Sequence, residues 1–319
     1  MQWLMIPRQR RRRTAMKATK NLAYGMMALA AIMWATSGTF TQMAYDEEAT
    51  AMQITLFSFA FSGLILLPII AILDRKSLRI KREDFFPMLV FSMITGTFFG
   101  FAWYTCVKLT GVATAVILLY AYPSIVTIAS VFLLKEKMTR NKALALPLTF
   151  VGCVLVAGAQ DFEEGLTFDT VGIALGLYTA VAGAIYYIWG KKFLDKYSAN
   201  TVILYMTILS IPGLIIMANP LELAETSLSP DAWTLIFAIG LFPGTIGFVV
   251  SMFALRHIEA SRASIVASIE PVAAVAIAFL VVSETINALQ GLGVALVFVG
   301  VILLRIAKES QEPTPILDR

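Results

Sequence analysis

The chain has 319 residues; 58% are apolar, 14% are charged, and the formal net charge is +4. Soluble domains run at about 45–50% apolar and about 25% charged, so a water-soluble globular protein is excluded, and a mean hydropathy of +0.78 agrees. One histidine, His257, and two cysteines, Cys106 and Cys153, both inside apolar runs, leave too few ligands and bases for a metalloenzyme, an intramembrane hydrolase or a disulfide framework.

Apolar stretches of about 18 residues or more, each long enough to cross about 30 Å of hydrocarbon, recur down the whole chain. Backbone groups in lipid must be satisfied within their own segment, so the spans are helices; the weaker alternation of a membrane barrel is absent. In chain order, a basic segment 1–20 carries RQRRRR and a second methionine, Met16, that is an alternative start. Ten spans follow, at 21–43, 51–73, 86–107, 112–134, 143–159, 170–190, 200–218, 233–255, 261–282 and 288–306, and then a tail, 307–319. The first run is long and is followed by more, so it reads as a retained span and not a cleaved signal.

Basic residues collect in cytoplasmic loops. Ten spans place 24 of the 25 lysines and arginines on one side, with Lys108 alone opposite, while Asp46-Glu47-Glu48, Asp161 to Glu164, Glu222 and Glu225 fall on the other. Both termini are therefore expected in the cytoplasm. The same rule accounts for RQRRRR and for the pI of 9.0, with contact to anionic lipid as a second reading of that cluster and no need of nucleic acid.

Two spans contain prolines in matching places. Displaced by 148 residues, Gly96-Thr97 falls on Gly244-Thr245, Pro123 on Pro271, Glu136 on Glu284, and Phe150-Val151-Gly152 on Phe298-Val299-Gly300. The repeats are 21–159 and 170–306. Five spans each is an odd number, so the second half is expected to be inverted relative to the first, an architecture of secondary transporters with a site between the halves. Each proline removes an N–H and crowds the carbonyl four residues back, which predicts kinks freeing Leu119 and Ala267.

These motifs resemble the drug/metabolite transporter superfamily in its EamA-like branch. The match rests on Glu270-Pro271-Val272, Glu284-Thr285 and Gly291 to Gly300 in the second half, and on Tyr122-Pro123, Glu136 and Phe150-Val151-Gly152 in the first. The resemblance implies an all-α integral membrane protein of ten helices in two five-helix repeats, carrying a small-molecule solute through a central cavity at the plasma (inner) membrane. It also implies a probable-exporter role for amino acids or related metabolites. The alternative it suggests is a multidrug or organic-cation/proton antiporter, although small multidrug relatives use an acid in their first helix and spans 1 and 6 here have none. An intramembrane enzyme ranks last, because the spans hold no cluster of His, Asp or Cys. No cofactor and no metal are expected; membrane lipid is the other partner, and a monomer is compatible with the pattern.

Helical spacing puts Ala113, Val116, Tyr120, Ser124 and Thr127 on one stripe of span 4, and Ser261, Ser264, Ser268, Val272 and Val275 on one stripe of span 9. Hydroxyls are wasted against lipid, so Tyr120, Ser124 and Ser268 are expected at the cavity; helix–helix hydrogen bonding is the competing use. A carboxylate near a span's centre costs about 2.5–3.5 kcal/mol, which makes Glu270 a candidate for a proton or a substrate ammonium. Its distance of about 160° around the helix from the Ser268 stripe leaves bonding to backbone freed by Pro271 as the other role. Trp34, Trp103, Tyr104, Tyr178 and Tyr186 lie too deep for interfacial anchors and are candidates for a cavity lining or for packing. Gly96, Gly100, Gly244 and Gly247 read as helix contacts.

Overall fold

The computed structural model describes residues 8–158, 169–218, 227–282 and 287–306. Glu284, Thr285, the acidic stretches at 161–164 and 222–225, and the tail 307–319 lie outside the described residues. The described chain is helical, with no strand. Among the described residues, nine helices are long and apolar enough to cross a membrane: α1 (Thr19–Asp46), α2 (Ala51–Leu73), α3 (Arg82–Val112), α4 (Thr114–Leu133), α5 (Arg140–Ala157), α6 (Thr170–Leu194), α7 (Ala199–Met217), α8 (Pro230–His257) and α9 (Ala260–Ile277). A shorter apolar helix, α10 (Ala288–Leu304), is the tenth.

Local sequence sets the helix starts. Thr50 and Gln53 form a reciprocal capping box at α2. Asp169, Ser198 and Ser229 each accept a hydrogen bond from the third amide of α6, α7 and α8, satisfying donors that helices leave open. At the end of α3, just before α4, the chain turns at Gly111, whose φ of +78° a side chain would resist.

The neighbours are symmetric. Helix α1 packs on α8 as α6 packs on α3, and α1 packs on α9 as α6 packs on α4; α2 meets α7, α4 meets α9, and α5 meets α10. Exchanging the two sets of five helices leaves these pairings unchanged. The α5–α10 contact is backbone on backbone: a Cβ at Gly152 would lie 2.8 Å from the Gly293 oxygen, and one at Gly293 would lie 2.7 Å from the Gly152 oxygen. Small residues allow this approach.

The proline breaks are symmetric too. Helix α4 is interrupted at Tyr120–Ala121 and α9 at Ser268–Ile269, with Pro123 and Pro271 in the first turn of the segments that follow. At each break one amide reaches back three residues, Ala121 to Leu118 at 3.3 Å and Ile269 to Val266 at 3.1 Å. A second matched irregularity is a widened π turn at Met93–Phe98 in α3 and Gly240–Gly247 in α8. Thr97 there donates to the Ser210 carbonyl at 2.9 Å, and Thr245 donates to the Ser62 hydroxyl at 3.0 Å. Ser62 and Ser210 are themselves 148 residues apart, so each bulge is seated on the same position of the opposite half.

Candidate functional site

The π turns and proline breaks surround a central cavity of about 130 Å³. Its walls come from α1 to α4 and α6 to α9; α5 and α10 stay outside. Such a volume is close to the ~150 Å³ engineered cavity that holds one benzene ring. Aromatic faces dominate, and the hydroxyls of Ser37, Ser58, Ser62, Thr95 and Thr207 are set among them. Among the described residues the lining has no lysine, arginine or histidine, and Glu270 is its one carboxylate.

Glu270 enters the wall because the break at Ser268–Ile269 changes the phase of α9 just before it. Its Oε2 accepts a 2.8 Å hydrogen bond from the Tyr120 hydroxyl, which also lies 3.4 Å from the Ala267 carbonyl oxygen. That carbonyl is the one Pro271 leaves without its usual donor. Tyr120 therefore bridges the two proline breaks: its own residue is one corner, and the other corner supplies both acceptors. Tyr122, which the repeat places opposite Glu270, lines the cavity as well and stacks on Tyr187 with ring centroids 5.5 Å apart. Tyr187 meets Tyr186 edge to face at 5.3 Å, and Tyr186 meets Trp34 at 6.4 Å. An unbroken row of rings thus runs from Trp34 to the carboxylate. Tyr186 is fixed by a 2.6 Å hydrogen bond with Ser251.

The candidate residues are distributed as follows. Trp34, Trp103 and Glu270 line the cavity. Tyr120 is buried behind it and touches it through Glu270. Ser268 is buried outside the lining, its carbonyl beside the Cys153 thiol at 3.7 Å. Ser124 is half-buried and also outside it, and Tyr178 donates to the Ile94 carbonyl at 2.9 Å. Helices α4 and α9 pack on each other beside these positions, where Tyr122 donates to the Ser264 carbonyl at 3.5 Å. Periodicity identifies a polar face; it does not distinguish a facing helix from a cavity. Ser58, Ser62, Thr95 and Thr207 were not singled out in the sequence, and the displacement of Gly96-Thr97 onto Gly244-Thr245 was the available signal for the bulges that bring two of them in.

A second set of buried charges closes one end of the bundle. Glu136, in the α4–α5 loop, accepts from the amides of Ala260 at 2.7 Å and Ser261 at 3.3 Å and from the Ser261 hydroxyl. It caps α9, whose own preceding residue, Glu259, makes no side-chain cap. Lys135, at φ +56°, turns the loop that delivers it. Lys142 bonds Glu136 at 3.2 Å and Glu259 at 2.9 Å, and Arg262 bonds Glu259 at 2.8 Å and the Leu304 carbonyl at 3.0 Å. Both cations are 1% exposed. Burial pushes the Glu259 carboxyl up, but Lys142 and Arg262 outweigh it and hold the group below its ordinary range. At the same end Lys191 donates to the Leu255 and Ile258 carbonyls, each at 2.8 Å, and Ser77 meets Ser198 at 2.6 Å.

A helical membrane bundle with matched halves around one central, aromatic-walled cavity is the form of a small-solute carrier. The chain belongs to the EamA-like transporter family, whose model matches residues 21–158 and again 170–306. Similar proteins include an uncharacterized transporter of Archaeoglobus fulgidus, 25% identical over 88% of this chain and 96% of the relative. Another, from Clostridium kluyveri, is 22% identical over 88% and 92%. The uncharacterized inner membrane transporter YicL of Salmonella typhimurium is 23% identical over 86% and 92%. One solved crystal structure superposes with a TM-score of 0.74 over 90% of this chain and 96% of its own, at 17% identity, and supports the fold.

Proposed function

We propose that this protein is a secondary transporter, and not an enzyme, that exports small organic solutes of the amino acid and related-metabolite class by alternating access. The supporting observation is the cavity itself, enclosed by four helices from each repeat at the height of the helix breaks. Opposed repeats around a midplane site give two related conformations, one open to each side. In this reading residues 21–159 and 170–306 are inverted units. Both termini and the Glu136–Lys142 end face the cytoplasm, as the positive-inside pattern requires, and the membrane is the plasma (inner) membrane. Trp34, Trp103 and Glu270 contact solute directly; Tyr120 positions Glu270. Ser124, Tyr178 and Ser268, outside the lining of this conformation, meet solute in another conformation of the cycle.

A second reading, organic-cation/proton antiport, is favoured by one specific observation: the cavity holds a carboxylate and no basic residue. Thr207→Trp, which puts an indole into the cavity, tests the shared part of both readings. In proteoliposomes the variant is expected to lose saturable counterflow while keeping the wild-type elution profile. Normal counterflow with the cavity filled would remove the cavity from the transport route.

A further inference from the structure

A carboxylate placed among rings has two stable states: it keeps its proton, or it takes a cation. In the basic-end cluster the cations are built in. At Glu270 they are not, since the cavity lining has neither lysine, arginine nor histidine. The titratable groups facing it are Tyr120 and Tyr122 of α4, Cys153 of α5 and Tyr187 of α6. Phenols and thiols carry no positive charge in either form, so none of these can neutralise a carboxylate. Tyr120 supplies one donor, to Oε2. The rings of Tyr122 and Tyr187 line the same cavity as Glu270, and aromatic faces attract organic cations within about 6 Å of their centroids.

We infer that Glu270, with the ring faces of Tyr122 and Tyr187, forms a subsite for the ammonium head of an amine whose body is apolar or aromatic, and that this head replaces a proton on Glu270. The inference rests on the transporter reading, follows its organic-cation form, and sets amines without a free carboxylate in place of the amino acid cargo of the first reading. An anionic group on the cargo would meet no counter-charge in the cavity, and burying an unpaired charge is costly. The exchange balances: the protonated acid and an incoming ammonium ion give a carboxylate–ammonium pair and one proton released. The O–H bond of the carboxyl breaks, its electron pair stays on oxygen, and the proton leaves to water on the side from which the amine entered. Tyr120 stays bonded to Oε2 throughout and is a positioning residue. The row of rings from Tyr187 through Tyr186 to Trp34 receives the apolar body.

The test uses phenyltrimethylammonium, which cannot cross lipid as a neutral base, with phenylacetate as the anionic probe of similar shape. Binding to the purified full chain is read by ligand-dependent thermal shift, and transport by counterflow in proteoliposomes. Wild type is expected to bind and exchange the cation and not the anion. Glu270→Gln is expected to lose at least about tenfold in cation affinity, and Glu270→Asp to recover part of it, which a fold defect would not reproduce. Lower pH is expected to weaken cation binding in wild type and to leave the residual binding of Glu270→Gln unchanged. Equal cation binding by wild type and Glu270→Gln, or equal binding of phenylacetate and the cation, would overturn the inference. Thr207→Trp separates the two levels. If it abolishes exchange while Glu270→Gln exchanges the cation like wild type, the ammonium subsite is wrong and the carrier reading stands. If Thr207→Trp exchanges normally, this cavity is off the transport route, and the central-cavity reading fails together with the subsite.

Discussion

Glu136 and Glu259 at the basic end, with side chains 8% exposed, and the half-buried Glu270 at the cavity are all acids withdrawn from the surface, but their surroundings differ in kind. The first two share Lys142, Glu259 also holds Arg262, and Glu136 takes two backbone amides. Every charge there has a fixed partner on a different segment: the α4–α5 loop, α5 and α9 are joined. Glu270 has one phenol and a cavity. A buried pair adds little net stability over apolar residues, yet removing one member is expensive because the other stays charged without a partner. The cluster is therefore an assembly device that ties helices together at one end. The cavity acid has its charge balance left for something that comes and goes. The distinction is between partners on the chain and partners supplied from outside, and it separates structure from function better than burial alone.

The largest effect that would sharpen this comparison belongs to the cluster. Lys142→Met is expected to lower stability by about 3–5 kcal/mol, seen as a large fall in melting temperature and in monodisperse yield. A variant that melts like wild type would mean that Glu136 and Glu259 do not depend on the lysine. The next effect is acid sensitivity. Glu259 is held below its ordinary value by Lys142 and Arg262 against the push of burial. Its contribution is thus present above the unfolded carboxyl value, about 4.3, and is lost as pH falls through the lower folded value. Glu259→Gln is expected to flatten that acid limb of a melting-temperature profile; an unchanged limb would contradict the pairing. The smallest effect is on the other side of the comparison. Glu270→Gln keeps the Tyr120 acceptor and breaks no ion pair, so its ligand-free stability is expected within about 0.5 kcal/mol of wild type. A collapse of the ligand-free protein on this change would place Glu270 with the structural acids.

Much of the architecture was legible in the sequence. Hydropathy marks where helices lie because lipid forces the backbone to pair within each segment, and Pro123 and Pro271 mark breaks because proline lacks the donor a helix needs. The gapless displacement from Gly96 to Gly152 carried the symmetry, but the pairing of α5 with α10 through Gly152, Gly293 and Gly300 was not read from it. The use of Glu136 was not legible. Its partners lie more than a hundred residues away at Ala260 and Ser261, and a cap delivered by another loop leaves no local pattern. The π turns were also hidden, since Gly-Thr reads equally as a helix contact. At the cavity, Glu270 stood out by its charge and Trp34 and Trp103 by their depth. The hydroxyl stripe of α9 gave no warning that Ser264 and Ser268 are buried outside the cavity lining, because facing helices and a solute cavity both select polar side chains.

The central claim, that Glu270 trades a proton for a cation, is tested most directly by counting protons. Titration calorimetry of the purified protein with phenyltrimethylammonium, in two buffers of different ionisation enthalpy at mildly acidic pH, gives the number released on binding. The exchange predicts about one proton per cation in wild type and none in Glu270→Gln. Binding of the cation to wild type with no proton released, or the same release from Glu270→Gln, would contradict it.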